Sequence, residues 1–310
     1  GITTGFIQAG ATTEGDGDKV TLGVNRGFDI GNDGGFINLS LEYRDYDGTN
    51  RAQKDRSGSS SIAPGELSDT VRWGQGNAAS EFISTFYNMA IPLNGDKELY
   101  SFGGYSNRTA LGNGFFREFN AAAKNVPQVY PDGFLPRIDN EAQDTSLAAG
   151  VRGDLNDDWS FDVSVVHGRN KYDFDSQNTI NASYAAEYLA NNPSANDTDI
   201  AANAGPTAGY SGGFRFDQTT FNADFSGEVN VGTEEPLYVS FGAEYRDENY
   251  EIVAGQEASY ACGNANTSSS FPSVIDSATF AGCGFQAYPG LRPDAAAQAS
   301  RDSYAVYLDV

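Results

Sequence analysis

Lysine is scarce, five of 310 residues, and the chain has one Met, one His, two Trp and two Cys. Basic residues number 19 against 42 acidic ones, so the formal charge is −23 and the isoelectric point lies near 4.2. A chain this anionic repels phosphate backbones, which excludes nucleic-acid binding driven by counterion release. No run of about 18 apolar residues occurs, which excludes helical membrane spans and leaves proteins that cross with strands open. The opening Gly1-Ile2-Thr3-Thr4 carries neither an initiator Met nor a signal peptide, so the expectation is a mature protein or an internal piece of a longer one. Glycine (36 residues) and aromatics (13%) are plentiful. A disordered acidic tail would lack the aromatics.

Along the chain the dominant signal has period two. Val20, Leu22, Val24, Phe28 and Ile30 share a face, as do Ile37, Leu39, Leu41 and Tyr43. Ile83, Thr85, Tyr87, Met89 and Ile91 follow, then Tyr100 and Phe102 alternating with Leu99, Ser101 and Gly103. Leu147, Ala149 and Val151 repeat the pattern, and so do Trp159, Phe161, Val163, Val165 and His167. It returns in Phe221, Ala223 and Phe225, in Leu237 to Tyr245, and in Tyr304, Val306, Leu308 and Val310. Each stretch predicts a strand apolar on one side only, and with another at Ile2 to Thr12 the total is about ten.

Short connections rich in Asn, Asp and Gly (31–35, 92–96, 156–158, 231–236) alternate with long segments (47–80, 108–144, 173–217, 251–302). Asn, Asp and Gly accept the positive φ that tight hairpins need. Alternate connections of an antiparallel meander leave from opposite ends, so the expected fold is all-β, with short turns at one end and long loops at the other. A soluble sandwich also alternates. Three features favour part of a transmembrane β-barrel instead. The strands run to ten or more residues, about the 9–11 that cross a bilayer at a tilt, where soluble strands average about 5–6. The polar faces hold Gly, Ser, Asn and Asp and almost no Lys. Aromatics sit at strand ends (Tyr46, Tyr100, Tyr105, Trp159, Tyr172, Tyr245, Tyr250), as an interfacial girdle demands.

The segments Arg117, Val129 to Pro136, Ser146 to Gly153, Trp159 to Ser164, Asn178 to Ser183, Gly242 to Arg246 and Arg301 to Val310 resemble, in that order, TonB-dependent outer-membrane receptors. Asp33 to Asn38 and Glu42 to Arg44 fit the same family, so the matches span nearly the whole chain. The resemblance implies a 22-stranded barrel of a Gram-negative outer membrane, plugged by an N-terminal domain. It also implies import of a scarce ligand with energy passed on by a TonB-type protein. The chain departs from that pattern: no plug and no TonB-contacting box are visible, and about half the strands are missing. Residues 1–310 are therefore expected to be an internal segment of a longer receptor, with the rest of the barrel in the same chain or another.

Cys262 and Cys283 fall in the last long segment, where a disulfide is expected, with a metal pair as the alternative. A bridge closing a ring of about 20 residues stabilises by roughly 3 kcal/mol in the chain-entropy model. His167, the sole His, has no nucleophile beside it in sequence, and no Ser elbow, phosphate loop or HExxH helix occurs, so no enzyme, catalytic residue or resident cofactor is expected. Glu14, Asp16 and Asp18, with Asp197 and Asp199, raise a divalent-cation reading, but neither group has EF-hand spacing. Facing outward, they would meet lipopolysaccharide phosphates across bridging cations. In a barrel, Glu42, Arg44, Arg152, Asp224, Glu228, Glu244 and Arg246 would line the lumen. Ligand contact is expected from Trp73, Phe115, Phe116, Arg117, Tyr130, Phe134, Tyr210, Phe214, Tyr260 and Tyr288, whose flat apolar groups suit sugars, siderophores or peptides. The same aromatics equally suit packing of loop on loop. Ser183 to Ala190, stopped by Asn191, Asn192 and Pro193, predicts a short helix. The rival to an importing receptor is a non-transporting surface β protein, such as an adhesin or surface-layer component, and a passive porin is a third reading.

Overall fold

The structure is a computed structural model that describes residues 1–54, 70–94, 96–121, 123–232, 234–263, 274–276 and 279–310. Its strands are β1 (Thr3–Gly10), β2 (Lys19–Ile30), β3 (Gly35–Tyr46), β4 (Ala79–Pro92), β5 (Lys97–Asn113), β6 (Arg137–Asn156) and β7 (Trp159–Gln177). After helices α1 (Ala182–Asn191) and α2 (Asp197–Asn203) come β8 (Gly209–Val229), β9 (Leu237–Ala254) and the short α3 (Glu257–Tyr260). A small hairpin, β10 (Val274–Asp276) and β11 (Thr279–Phe280), precedes β12 (Ala297–Asp309). Ten strands form one antiparallel sheet in the order β1-β2-β3-β4-β5-β6-β7-β8-β9-β12. The chain is thus an all-β meander, as its alternation predicts. Among the described residues no helix is long and apolar enough to cross a membrane.

The turns follow from residues that accept positive φ: Gly31 and Gly34 sit at φ 68° and 89° between β2 and β3. Short connections (31–34, 157–158, 230–236) leave one end, and long ones (47–78, 114–136, 178–208, 255–296) leave the other. The strands are longer than predicted: β5 to β9 run 17, 20, 19, 21 and 18 residues. Tyr210 and Phe214, expected in a loop, therefore lie on β8.

Pairing register assigns every strand residue to a face. Val24, Leu41, Thr85, Tyr105 and Thr145 are successive partners across β2 to β6, and Val163, Ala223, Ala243 and Val306 continue the same face across β7 to β12. The register corrects β5. Leu99, Ser101 and Gly103 pair with Ile91, Met89 and Tyr87 on the apolar face, whereas Tyr100 and Phe102 pair with Ala90 and Asn88 on the polar one. Small residues occur on both faces, so composition left the phase of β5 undetermined. Of the predicted girdle, Tyr105, Trp159 and Tyr245 are on the apolar face, and Tyr43 and Tyr304 join them. Tyr46, Tyr100, Tyr172 and Tyr250 are on the other.

Glycines on the polar face make room for long cross-strand bonds. Tyr100 of β5 passes over Gly150 of β6, where a Cβ would sit 2.6 Å from the ring, and donates to Asp162 of β7 at 2.7 Å. The device recurs where Tyr307 of β12 passes over Gly242 of β9 to donate to Asp224 of β8 at 2.9 Å. Each ties three strands through one hydroxyl.

The buried apolar core lies almost wholly outside the sheet. Val126, Phe134, Ile180, Ala182, Ala185, Ala186, Ile200, Ala204 and Ala281 cluster where the long loops meet. The predicted helix is α1, and Asn181 caps it, accepting from Ser183 N while its amide donates to the carbonyls of Ala258 and Ala261 at 2.9 and 2.8 Å. Its small Ala face lets α2 approach, which Asn196 and Asp199 start with a reciprocal capping box. The Cys262–Cys283 disulfide closes the last loop against this layer.

Candidate functional site

On several strands the regular run of apolar side chains on the apolar face ends at an aromatic ring or the sole His: Tyr43, Tyr105, His167, Tyr245 and Tyr304. Towards the long loops the alternation continues with its phase reversed. Arg169, Lys171, Asp173, Arg215, Asp217, Asp247 and Glu251 now occupy the formerly apolar face. Asp173 gathers Lys171 at 2.8 Å, Arg215 at 2.5 Å and the Tyr210 hydroxyl at 2.7 Å. The formerly polar face carries Tyr172, Phe174, Phe214, Phe216 and Tyr250. Phase reversal has a physical cause: here the loops pack on the polar face. Tyr288 stacks on Phe174 at 4.3 Å, and Phe174 meets Phe214 edge-on at 5.9 Å. Phe214 in turn stacks towards Tyr250 at 6.4 Å, and Tyr250 stays 42% exposed at the rim of the polar face.

The predicted ligand residues fall into separate groups. Trp73 sits beside Phe115 and Phe116 at 6.2 and 6.3 Å, with Phe115 the exposed member and Phe116 buried. Tyr130 stacks on Phe134 at 4.3 Å and donates to the Thr179 carbonyl at 3.2 Å. Phe134 is buried in the loop core and presents no open surface. Burial also raises the Tyr130 phenol above its ordinary pKa. Phe214 and Tyr288 meet through Phe174, which sequence reasoning did not single out. Its signal was the aromatic run at even positions after Gly168. Arg117 Nε donates to Gln286 Oε1 at 2.7 Å, and burial pulls its guanidinium below the ordinary value. Tyr210 turns to the charged face, and Tyr260 closes α3.

The seven charges expected to line a lumen do share the polar face, largely as ion pairs: Arg44 with Glu42 at 2.6 Å, Arg246 with Glu244 at 2.7 Å, and Arg152 with Glu98 at 2.6 Å. Asp224 takes the Tyr307 hydroxyl, and Glu228 stands near the short-turn end opposite Tyr238. Of the acidic groups, Asp16 accepts from Arg51, from Thr12 Oγ1 at 2.5 Å and from Asn50 N at 3.1 Å. Arg51 above all holds the Asp16 carboxyl well below the usual carboxylate range. Asp199 is occupied by its capping box, and Asp197 accepts from Gln128 at 3.2 Å. Among the described residues no three His, Cys, Asp or Glu gather as a metal-ligand set. His167 Nδ1 lies 2.9 Å from Thr219 Oγ1 at the aromatic level.

The fold and this site define an antiparallel ten-stranded sheet with one apolar face, roofed at one end by a disulfide-closed loop layer. Compared with known proteins, the chain matches no family model and no curated sequence.

Proposed function

We propose that the sheet is part of a transmembrane β-barrel of a Gram-negative outer membrane, belonging to a receptor that imports a scarce nutrient with energy from a TonB-type partner. The observation that carries the barrel reading is the apolar face. Leu41, Leu147, Phe221 and Val306 expose 43, 47, 51 and 84% of their surface, and no second sheet covers them among the described residues. Trp159 through His167 and Leu237 through Tyr245 each make a nine-residue apolar crossing bounded by aromatic or apolar anchors, within the 9–11 residues or so that span a bilayer. A contiguous apolar area of this size in water would drive aggregation. In lipid it faces its solvent.

The free edges of β1 and β12 need partners in a hydrocarbon medium, so further strands, from this chain or another, complete the barrel. The paired charges of the polar face then line a hydrated lumen where a plug docks. The aromatic rim of Phe214, Tyr250 and Tyr288 offers the first contact to a sugar, siderophore or peptide ligand. The charged level above the girdle lies among lipopolysaccharide headgroups. Import proceeds by capture at the loops and plug movement that opens a path, with no covalent step. Uptake by cells carrying the full-length protein tests this. Accumulation of a bound nutrient that stops on collapse of the inner-membrane gradient supports the receptor, and flux that persists identifies a passive porin. A full-length protein that stays soluble without detergent and moves no solute is a non-transporting surface protein.

A further inference from the structure

Several cations of this anionic chain sit against carboxylates, as Arg152, Arg246 and Arg301 do against Glu98, Glu244 and Glu248. Arg117 does not. It is half-buried, and its hydrogen bonds run to two neutral acceptors, Gln286 Oε1 at 2.7 Å and the Phe115 carbonyl at 2.8 Å. Of the five N–H bonds of a guanidinium these commit one on Nε and one on Nη1, leaving the Nη2 side free for a bidentate acceptor. A charge taken partly out of water without a counterion is costly unless an anion completes it.

Arg117 opens into a cavity of about 400 Å³ between the 114–136 connection and the segment after β11. Its second cation is Lys124, and its walls are apolar: Ala123, Phe285, Ala287 and Pro289. The walls are held by the Cys262–Cys283 bridge and by Gly282 N donating to the Ala123 carbonyl at 2.6 Å. Ala287 lies at φ 75°, a left-handed conformation that non-glycine residues avoid and that persists where surrounding structure enforces it, often at ligand clamps. The site thus combines an incompletely paired guanidinium, a second cation, apolar walls and a strained backbone.

We infer that this cavity binds a small anion with a flat apolar body, an aryl carboxylate, with Arg117 gripping the carboxylate, Lys124 adding charge and Phe285 and Pro289 enclosing the ring. The inference rests on the loop layer alone and stands apart from the reading of the sheet.

Calorimetric titration of the full-length protein with 2-naphthoate and its neutral isostere 2-naphthamide tests it without any transport step. Saturable naphthoate binding is expected, with the amide and the Arg117→Gln variant each weaker by about tenfold or more. Lys124→Gln should lose about threefold, since an exposed cation contributes less. Ala123→Leu keeps both cations but narrows the cavity, and should weaken binding of acid and amide alike. An intact disulfide and an unchanged melting temperature certify the variants, and Arg117→Lys should restore part of the affinity. No naphthoate binding, equal affinity for acid and amide, or full affinity in Arg117→Gln overturns the proposal. Loss of nutrient uptake alongside Arg117-dependent naphthoate binding would remove the receptor reading and leave this one intact.

Discussion

In the loop layer Ile180 and Ala182 are wholly buried, whereas on the sheet beneath it Phe221 leaves half its surface open. The two regions solve the solvent problem in opposite ways. Loops normally run over a surface with little core of their own, yet here they carry the core, built from Ala-rich helices, a capping Asn and a disulfide. Sheets normally bury one face, yet here the apolar face has no protein against it among the described residues. The difference teaches where each region's stability comes from. The loop layer is held by its own packing, and the sheet by its ladder together with, in the proposed barrel, the lipid around it.

Separating the two regions should therefore be possible by mutation. The largest effect is expected from Phe134→Ala, which removes a ring stacked on Tyr130 in the loop core. It should cost the loop layer about 3–5 kcal/mol, read by amide exchange in α1, while protection in β6 to β8 stays unchanged. Equal loss in the strands would show that the regions are one cooperative unit. Next comes Val165→Arg, in the middle of the apolar face. Folding into lipid should weaken by about 2–4 kcal/mol, and the neighbouring polar-face Ser164→Arg should change it little. Similar costs for both would remove the distinction between the faces.

The smallest effect concerns Asp16 and pH. Its pKa is depressed in the folded state, so its tie to Arg51 and Asn50 is complete above the unfolded value near 3.9 and is lost as pH falls through the lower folded one. Amide exchange at Asn50 should stay slow at pH 5 and accelerate only in stronger acid, with the sheet unaffected. Acceleration already between pH 7 and 5 would contradict the assignment.

These contrasts also explain what the sequence could reveal. Within the apolar crossing each strand meets two different surroundings, so Phe161, Val163 and Val165 alternate visibly with Ser160, Asp162 and Ser164. Beyond His167 one face meets water and the other meets the loops. Alternation survives there as charge against aromatic, Arg169 and Lys171 against Tyr172 and Phe174, and reads as loop unless its phase is followed. That is why the strand ends, and Tyr210 and Phe214 with them, were misplaced. Helix α1 was legible through its Ala-rich stretch and its Asn-Asn-Pro stop. Seven-residue α2 was not, because its start depends on a local capping box and its one buried residue is Ile200. The ligand candidates were recognisable as a class, but their grouping was not. Phe174 and Gln286 join residues more than a hundred positions apart, and no local pattern encodes such a contact.

The central claim is that the apolar face, and only its crossing segment, contacts lipid. Nitroxide labels placed one at a time from Trp159 to Gln177 in the full-length protein in bilayers measure it most directly, by accessibility to oxygen and to a water-soluble nickel chelate. The account predicts oxygen-accessible labels at the odd positions 161, 163 and 165, nickel-accessible ones at 169 and 171, and neither pattern at 172 and 174 beneath the loops. Nickel access at 161, 163 and 165, or a lipid-like response that continues through 171, would contradict it.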